Sequence, residues 1–168
     1  KLATRTGNVI LLRDLFALAI EKISAIMDEK NPSLEGKERI AEEIGVGAVV
    51  FYYLSNNRIR DINFVMDDAL NFEGNTGPYV QYTYARTCSV LEKAGKACGD
   101  KIVITAPEEA ALLKTLCQYE EKVLTAIRDY EPSTITRFIL DVAVAFNKFY
   151  HECSILNADD ENVKGTRI

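Results

Sequence analysis

Tyr79, Tyr82 and Arg86 stand at i, i+3 and i+7 within the run Glu73-Gly-Asn-Thr-Gly-Pro-Tyr-Val-Gln-Tyr-Thr-Tyr-Ala-Arg86. At about 100° per residue these three side chains share one side of a helix, with Val90 beside them. Two aromatic rings and a planar guanidinium side by side suit an unstacked nucleic-acid base and its phosphate. The rings offer stacking faces, and the cation meets phosphate or a base edge. The bland alternative is that Tyr79 and Tyr82 pack under a neighbouring loop. The opposite side of the helix, carrying Val80, Tyr84, Cys88 and Leu91, reads as an ordinary core stripe.

The elements that must hold this face are readable on either side. Gly74 and Gly77 permit unusual backbone angles, Asn75 and Thr76 can cap orphan N–H groups, and Pro78 is tolerated only in a first helical turn. Asn75, Gly77 and Pro78 are therefore expected to build a structural turn that launches the helix. Upstream, Leu12, Leu15, Phe16, Ala19, Ile23, Ile26 and Met27 recur at helical spacing, and Asn31-Pro32-Ser33 ends that helix. A second helix is expected from about Leu34 to Leu54 on Ile40, Ile44, Ala48, Phe51 and Leu54. Gly45 and Gly47 inside it cost roughly 1 kcal/mol each relative to alanine, which points to close approach of a neighbouring helix. Gly-Val-Gly without a preceding strand and a third glycine is not a dinucleotide loop.

Ile62, Phe64 and Met66 alternate with polar or smaller residues and suggest a short strand near 61–66. Asn56, Asn57, Arg58 and Arg60 before it form a basic turn, read as solvated, with phosphate contact as the alternative. Downstream, Thr105-Ala-Pro-Glu108 reads as a capping box with an early proline. Leu113, Leu116, Cys117, Val123, Leu124 and Ile127 follow with a helical period. After Glu131-Pro132-Ser133, a last long helix is defined by Ile135, Phe138, Ile139, Val142, Ala145, Phe146 and Phe149. From Ala158 the chain turns polar and reads as a loop. The fold class is mainly α: a helical linker, then a helical bundle, with at most one short strand.

Composition narrows the function classes. The net charge is −5, so nucleic-acid binding must rest on a local cluster rather than on the whole-protein field. Apolar residues make up 48% of the chain, which places it among globular rather than disordered proteins. No apolar run approaches a membrane span and no secretory signal opens the sequence, so no membrane partner is expected. The cysteines Cys88, Cys98, Cys117 and Cys153 are widely spaced without a Cys-x-x-Cys pair. His151 and Cys153 point to different helix faces if helical. A reduced, cytoplasmic protein with no metal site is expected. The adjacent acids Asp67-Asp68 and Glu42-Glu43 point apart and read as solvated faces rather than acid/base pairs.

The run from Glu73 to Arg86 resembles the most characteristic stretch of arginyl-tRNA synthetases, and the similarity continues on both sides. Thr4-Arg-Thr-Gly-Asn-Val-Ile10 looks like the stretch containing their version of the class I signature loop. Gly45-Val-Gly-Ala-Val49 and Leu54-Ser-Asn-Asn-Arg58 look like the linking helix. Phe149-Tyr-His-Glu-Cys153 and Lys164-Gly-Thr-Arg167 resemble the late part of the anticodon-binding domain. The resemblance covers essentially the whole chain, in order and at family spacing.

This resemblance implies a fragment: residues 1–10 a remnant of the signature loop, 11–72 a helical linker contacting the tRNA stem, and 73–168 an anticodon-binding bundle lacking its final helix. It implies that Tyr79, Tyr82 and Arg86 contact tRNA, and that arginine tRNA is the partner. The signature loop of class I enzymes is Lys-Met-Ser-Lys-Ser, against Lys1-Leu2-Ala3-Thr4-Arg5 here. Lys1 keeps the first cation and Thr4 stands where the second Lys would be, so that charge falls either to Arg5, the candidate within this chain, or to a residue outside it. The resemblance implies ATP and Mg²⁺ as cofactors of the intact enzyme, with none bound by this piece. No catalytic set is complete within it, so it is not expected to catalyse ATP–pyrophosphate exchange. A bundle lacking a helix is expected to self-associate through the uncovered face. The competing class is a helical protein-interaction module, for which the Tyr79–Arg86 face would bind an apolar peptide with little salt dependence.

Overall fold

The computed structural model of the chain describes residues 10–95 and 100–168, and among these eight helices and no strand are found. The chain divides into two compact units, Lys1–Tyr53 with Asp61–Pro78, and Leu54–Arg60 with Tyr79–Ile168.

In the first unit, α1 (Leu12–Lys30) and α2 (Lys37–Leu54, to Tyr53 in this unit) supply most of the core. Ala19 and Ile23 from α1 meet Ala41, Ala48 and Val49 from α2, with Leu70 closing the cluster. Phe16, Ile20, Ile44, Phe64 and Phe72 pack around them. Full burial of Ile23 alone contributes about 1.5–3 kcal/mol. The expected close approach falls on Gly45. A Cβ built there would lie 2.9 Å from the backbone nitrogen of Ile20 and 3.0 Å from the carbonyl carbon of Ala19. Both are helix backbone and cannot swing away. Gly45→Ala is therefore expected to destabilise this unit by about 1–3 kcal/mol, read as a lower urea midpoint with an unchanged slope.

The short strand near 61–66 is not formed. Residues 61–65 carry no regular secondary structure, with Val65 extended, and Met66–Ala69 turns into a one-turn helix, α3. Side chains hold the segment in place of a ladder. Tyr52 donates to the carbonyl of Asn63 at 2.8 Å, and Phe64 stacks on Tyr53 at 5.4 Å between centroids. Alternation of apolar residues reports one buried edge, and here an aromatic cluster rather than a sheet supplies the partner.

The turn that opens α4 (Gly77–Ala94) belongs to the same unit as far as Pro78. Gly74 has φ +86, the left-handed region that glycine occupies without strain. Gly77 and Pro78 are buried, and a Cβ on Gly77 would come within 3.0 Å of the Phe51 Cβ. Asn75, expected to hold this turn, is exposed. Asn71 does that work: its side chain accepts from the Glu73 N–H at 2.8 Å, and its carbonyl accepts from Thr76 Oγ1 at 2.5 Å.

In the second unit α7 (Ser133–Glu152) is central, and α5 (Pro107–Leu116) and α6 (Tyr119–Asp129) pack against it. The single helical period expected over 113–127 is thus two helices, broken at Cys117-Gln118. The basic turn before 60 is not simply solvated. Asn57 Nδ2 donates to Glu131 at 2.8 Å, and Arg58 donates to the carbonyls of Tyr130 and Asp129 at 2.7 and 3.2 Å. Arg58 thereby caps the C-terminal, partially negative end of α6, where Tyr130 adopts the left-handed conformation at φ 51.

The expected polar loop after Ala158 is instead partly helical, forming α8 (Glu161–Arg167). Asp160 caps it, accepting from the N–H groups of Asn162 and Val163. The capping acid of α5 is also displaced by one residue from the expected Glu108. Glu109 accepts from the N–H groups of Thr105 and Ala106 at 2.6 and 2.8 Å.

Candidate nucleic-acid interface

The second unit brings Arg86 into a sandwich. Its guanidinium carbon lies 4.8 Å from the Tyr82 ring centroid and 4.7 Å from that of Tyr150 on α7. Arg86 Nη2 donates to the Tyr82 hydroxyl at 2.8 Å, and Nη1 donates to Asn147 Oδ1 at 2.5 Å. Stacking on two rings and two hydrogen bonds removes most of the freedom of a side chain that is otherwise among the most mobile.

Tyr82 remains 52% exposed, so one ring surface is open. Tyr79 is half-buried and its hydroxyl accepts from Asn147 at 2.9 Å. The three residues singled out by spacing therefore differ in their placement. Tyr82 and Arg86 border open space, and Tyr79 sits in the polar network beneath them.

That open space is a cavity of about 500 Å³, within the ~300–1,000 Å³ usual for small-ligand clefts. Tyr82, Arg86 and Lys93 come from α4, Tyr150 from α7, and residues 153–157 form the remaining wall. Among the described residues two cations and no carboxylate line it. This is the local positive cluster that a chain of net charge −5 must have to attract a polyanion. Tyr150, Lys93 and Asn147 are the site residues that spacing missed. Tyr150 lies on a helix far away in sequence, and no periodicity on α4 could point to it.

The 153–157 wall is anchored from behind. Arg167 at the end of α8 donates to the Ser154 carbonyl at 2.8 Å, to Thr105 Oγ1 at 3.1 Å and to Glu109 Oε1 at 2.5 Å. Side chains of Glu109 and Arg167 are 5% and 11% exposed. Burial pushes the Glu109 carboxyl up, but the N–H groups of Ala106 and Thr105 and the Arg167 guanidinium outweigh it, leaving its pKa lowered. Burial also raises the Cys153 thiol, which stays protonated at neutral pH.

The supposed core stripe of α4 is not core. Tyr84 is 71% exposed, and Leu91 and Cys88 are exposed as well. Val80 and Tyr84 instead border an apolar groove of about 400 Å³ shared with Leu112, Leu116, Phe138 and Phe146. Lys1 and Arg5, the signature-loop candidates, lie outside the described residues. Among the described residues no cluster of three or more His, Cys, Asp or Glu side chains could hold a metal ion, and no helix is long and apolar enough to cross a membrane.

The unit is a bundle of helices, and residues 80–168 match the DALR anticodon binding domain. The chain belongs to that family. Residues 1–66 match the tRNA synthetases class I (R) catalytic domain. Over its whole length the chain is 48% identical to arginine–tRNA ligase of Clostridium botulinum (strain Langeland), of which it covers 30%. It is 48% identical to the arginine–tRNA ligase of Clostridium kluyveri, covering 31%. Among solved structures, the arginyl-tRNA synthetase of Thermus thermophilus superposes with a TM-score of 0.87 at 32% identity, over 96% of this chain and 29% of that one. The Plasmodium falciparum arginyl-tRNA synthetase shares the fold, with a TM-score of 0.82 at 21% identity, over 95% of this chain and 29% of that one. The resemblance read from the sequence is borne out along the whole chain, which spans about 30% of the length of the curated relatives it matches.

Proposed function

We propose that this chain is the tRNA-selecting portion of an arginine–tRNA ligase, the intact enzyme ligating arginine to its tRNA with ATP in the cytoplasm. The observation that carries this reading is the Arg86 guanidinium, stacked between Tyr82 and Tyr150 in the lining of a cavity to which, among the described residues, no carboxylate contributes. A base leaving the anticodon stack finds the Tyr82 ring as a new partner, worth about 1–3 kcal/mol per base. Arg86 and Lys93 neutralise phosphate charge nearby. Tyr79 supports the site from beneath through Asn147. Residues 73–168 form the anticodon-binding part on this reading, 11–72 the linker that meets the tRNA stem, and 1–10 the remnant of the signature loop. ATP and Mg²⁺ belong to the intact enzyme, with Lys1 and Arg5 as the phosphate-contacting candidates here.

A filter-binding titration of the chain with arginine tRNA at two salt concentrations tests the reading. Affinity that falls steeply with salt is expected. Salt-independent capture of an apolar peptide on the Tyr79–Arg86 face, with no RNA binding, would instead identify a protein-interaction module.

The apolar groove along α4, α5 and α7 leads to a further expectation. An apolar helix face is best met by a second apolar face, and a two-fold contact lets the same groove serve both copies. The chain is expected to self-associate as concentration rises in sedimentation equilibrium. Ile139→Glu, which places a charge in the groove lining, should weaken association by about tenfold or more. A monomer at all concentrations, with no binding of an apolar dye, would remove this expectation.

A further inference from the structure

We infer that Asn147 is the positioning residue of the Arg86 site, and that its neutrality is functional: it fixes the guanidinium without cancelling its charge. This rests on reading the Tyr82–Arg86 face as the RNA site. The orientation of the amide follows from its neighbours. Arginine only donates, so the oxygen of Asn147 must face Arg86 Nη1, at 2.5 Å. Nδ2 then donates to the Tyr79 hydroxyl at 2.9 Å and to Thr83 Oγ1 at 2.8 Å. Thr83 is buried, and its hydroxyl spends its own proton on the Tyr79 carbonyl at 2.9 Å, so it is free to accept. One side chain on α7 thus locks three successive turns of α4.

Every polar partner of Arg86 in this network is neutral. Among the described residues Arg86 forms no ion pair, whereas Arg13, Arg39, Arg128 and Arg167 each lie against a carboxylate. Aspartate at 147 would grip the guanidinium more tightly through a charge-assisted bond. It would also neutralise the cation that an anionic ligand must meet. Two of the five N–H donors of Arg86 are spent on Asn147 and Tyr82, and the remainder are left for a ligand rich in acceptors. An RNA backbone or base carbonyl has that chemistry.

The experiment titrates the 168-residue chain with an arginine tRNA transcript across a salt series, for wild type, Arg86→Ala, Asn147→Asp and Asn147→Ala, at a temperature where each is folded by circular dichroism. Asn147→Asp should bind about tenfold more weakly. Its log–log salt slope should be shallower by about one counterion, as for Arg86→Ala. Asn147→Ala should also lose about tenfold in affinity but keep the wild-type slope, because Arg86 is misplaced rather than neutralised. A merely structural role for Asn147 would lower the melting temperature while leaving the affinity of both folded variants and the salt slope of Asn147→Asp at wild-type values, which overturns the inference. If Arg86→Ala leaves binding unchanged, the RNA reading of the face falls. If Arg86→Ala weakens binding and Asn147→Asp matches wild type, the positioning role falls alone. Should Asn147→Asp fail to fold, Asn147→Ala decides: a tenfold loss at constant slope upholds the inference, and wild-type affinity overturns it.

Discussion

Arg167→Ala is expected to cost about 3–5 kcal/mol of stability in the second unit, because it strands a buried carboxylate. Glu109 and Arg167 are both nearly inaccessible to water, and the arginine ties three separate segments together through Thr105, Glu109 and Ser154. Replacing it leaves Glu109 with two backbone donors and no counterion, so the carboxyl must be protonated or reached by water. Chemical denaturation at pH 7 measures the loss directly. Glu109→Gln should be milder, since an amide oxygen can still accept from the Thr105 and Ala106 N–H groups. The pH dependence has a defined sign. The folded-state pKa of Glu109 is depressed, so its contribution is full above the ordinary carboxylate range, near about pH 4.3, and is lost as pH falls through the lowered folded value. The stability gap between wild type and Glu109→Gln should therefore be widest at neutral pH and narrow in acid. A gap that widened in acid would mean that the pair opposes folding.

The second large effect is on RNA. Tyr82→Ala removes the open stacking ring and should weaken tRNA binding by about 1–3 kcal/mol with an unchanged salt slope. Arg86→Ala removes a cation, so affinity should fall and the slope should become shallower by about one counterion. Tyr82 is half in solvent, so its loss should move the melting temperature little. Tyr84→Ala makes the contrast. Helical periodicity predicts a cost of several kcal/mol there, but a side chain 71% exposed supports a change within about 1 kcal/mol. If Tyr82→Ala and Arg86→Ala unfolded the domain while leaving tRNA affinity intact, the two faces of α4 would be assigned the wrong way round.

The features legible without the fold are local or repetitive. Helical spacing placed α1 and α2, Gly45 and Gly47 pointed to a close approach that the packing puts at Gly45, and the Gly-Pro entry placed the start of α4. The ring–cation grouping of Tyr82 and Arg86 was legible because i and i+4 residues meet on any helix. Family resemblance extended this to the whole chain. Tertiary structure decided the rest, because burial and pairing depend on what lies opposite. Periodicity says that Val80, Tyr84, Cys88 and Leu91 share a face, but not whether anything covers it, and here the face borders an open groove. Alternation at 61–66 says that one edge is buried, but not that Tyr52 and Tyr53 rather than a second strand bury it. The polar tail folds into α8 because Asp160 caps it and Glu109, more than fifty residues earlier, waits for Arg167. Tyr150 and Asn147 complete the Arg86 site from a helix more than sixty residues away in sequence. Local pattern fixes which residues can act together, and only the packing of distant helices fixes which of them meet.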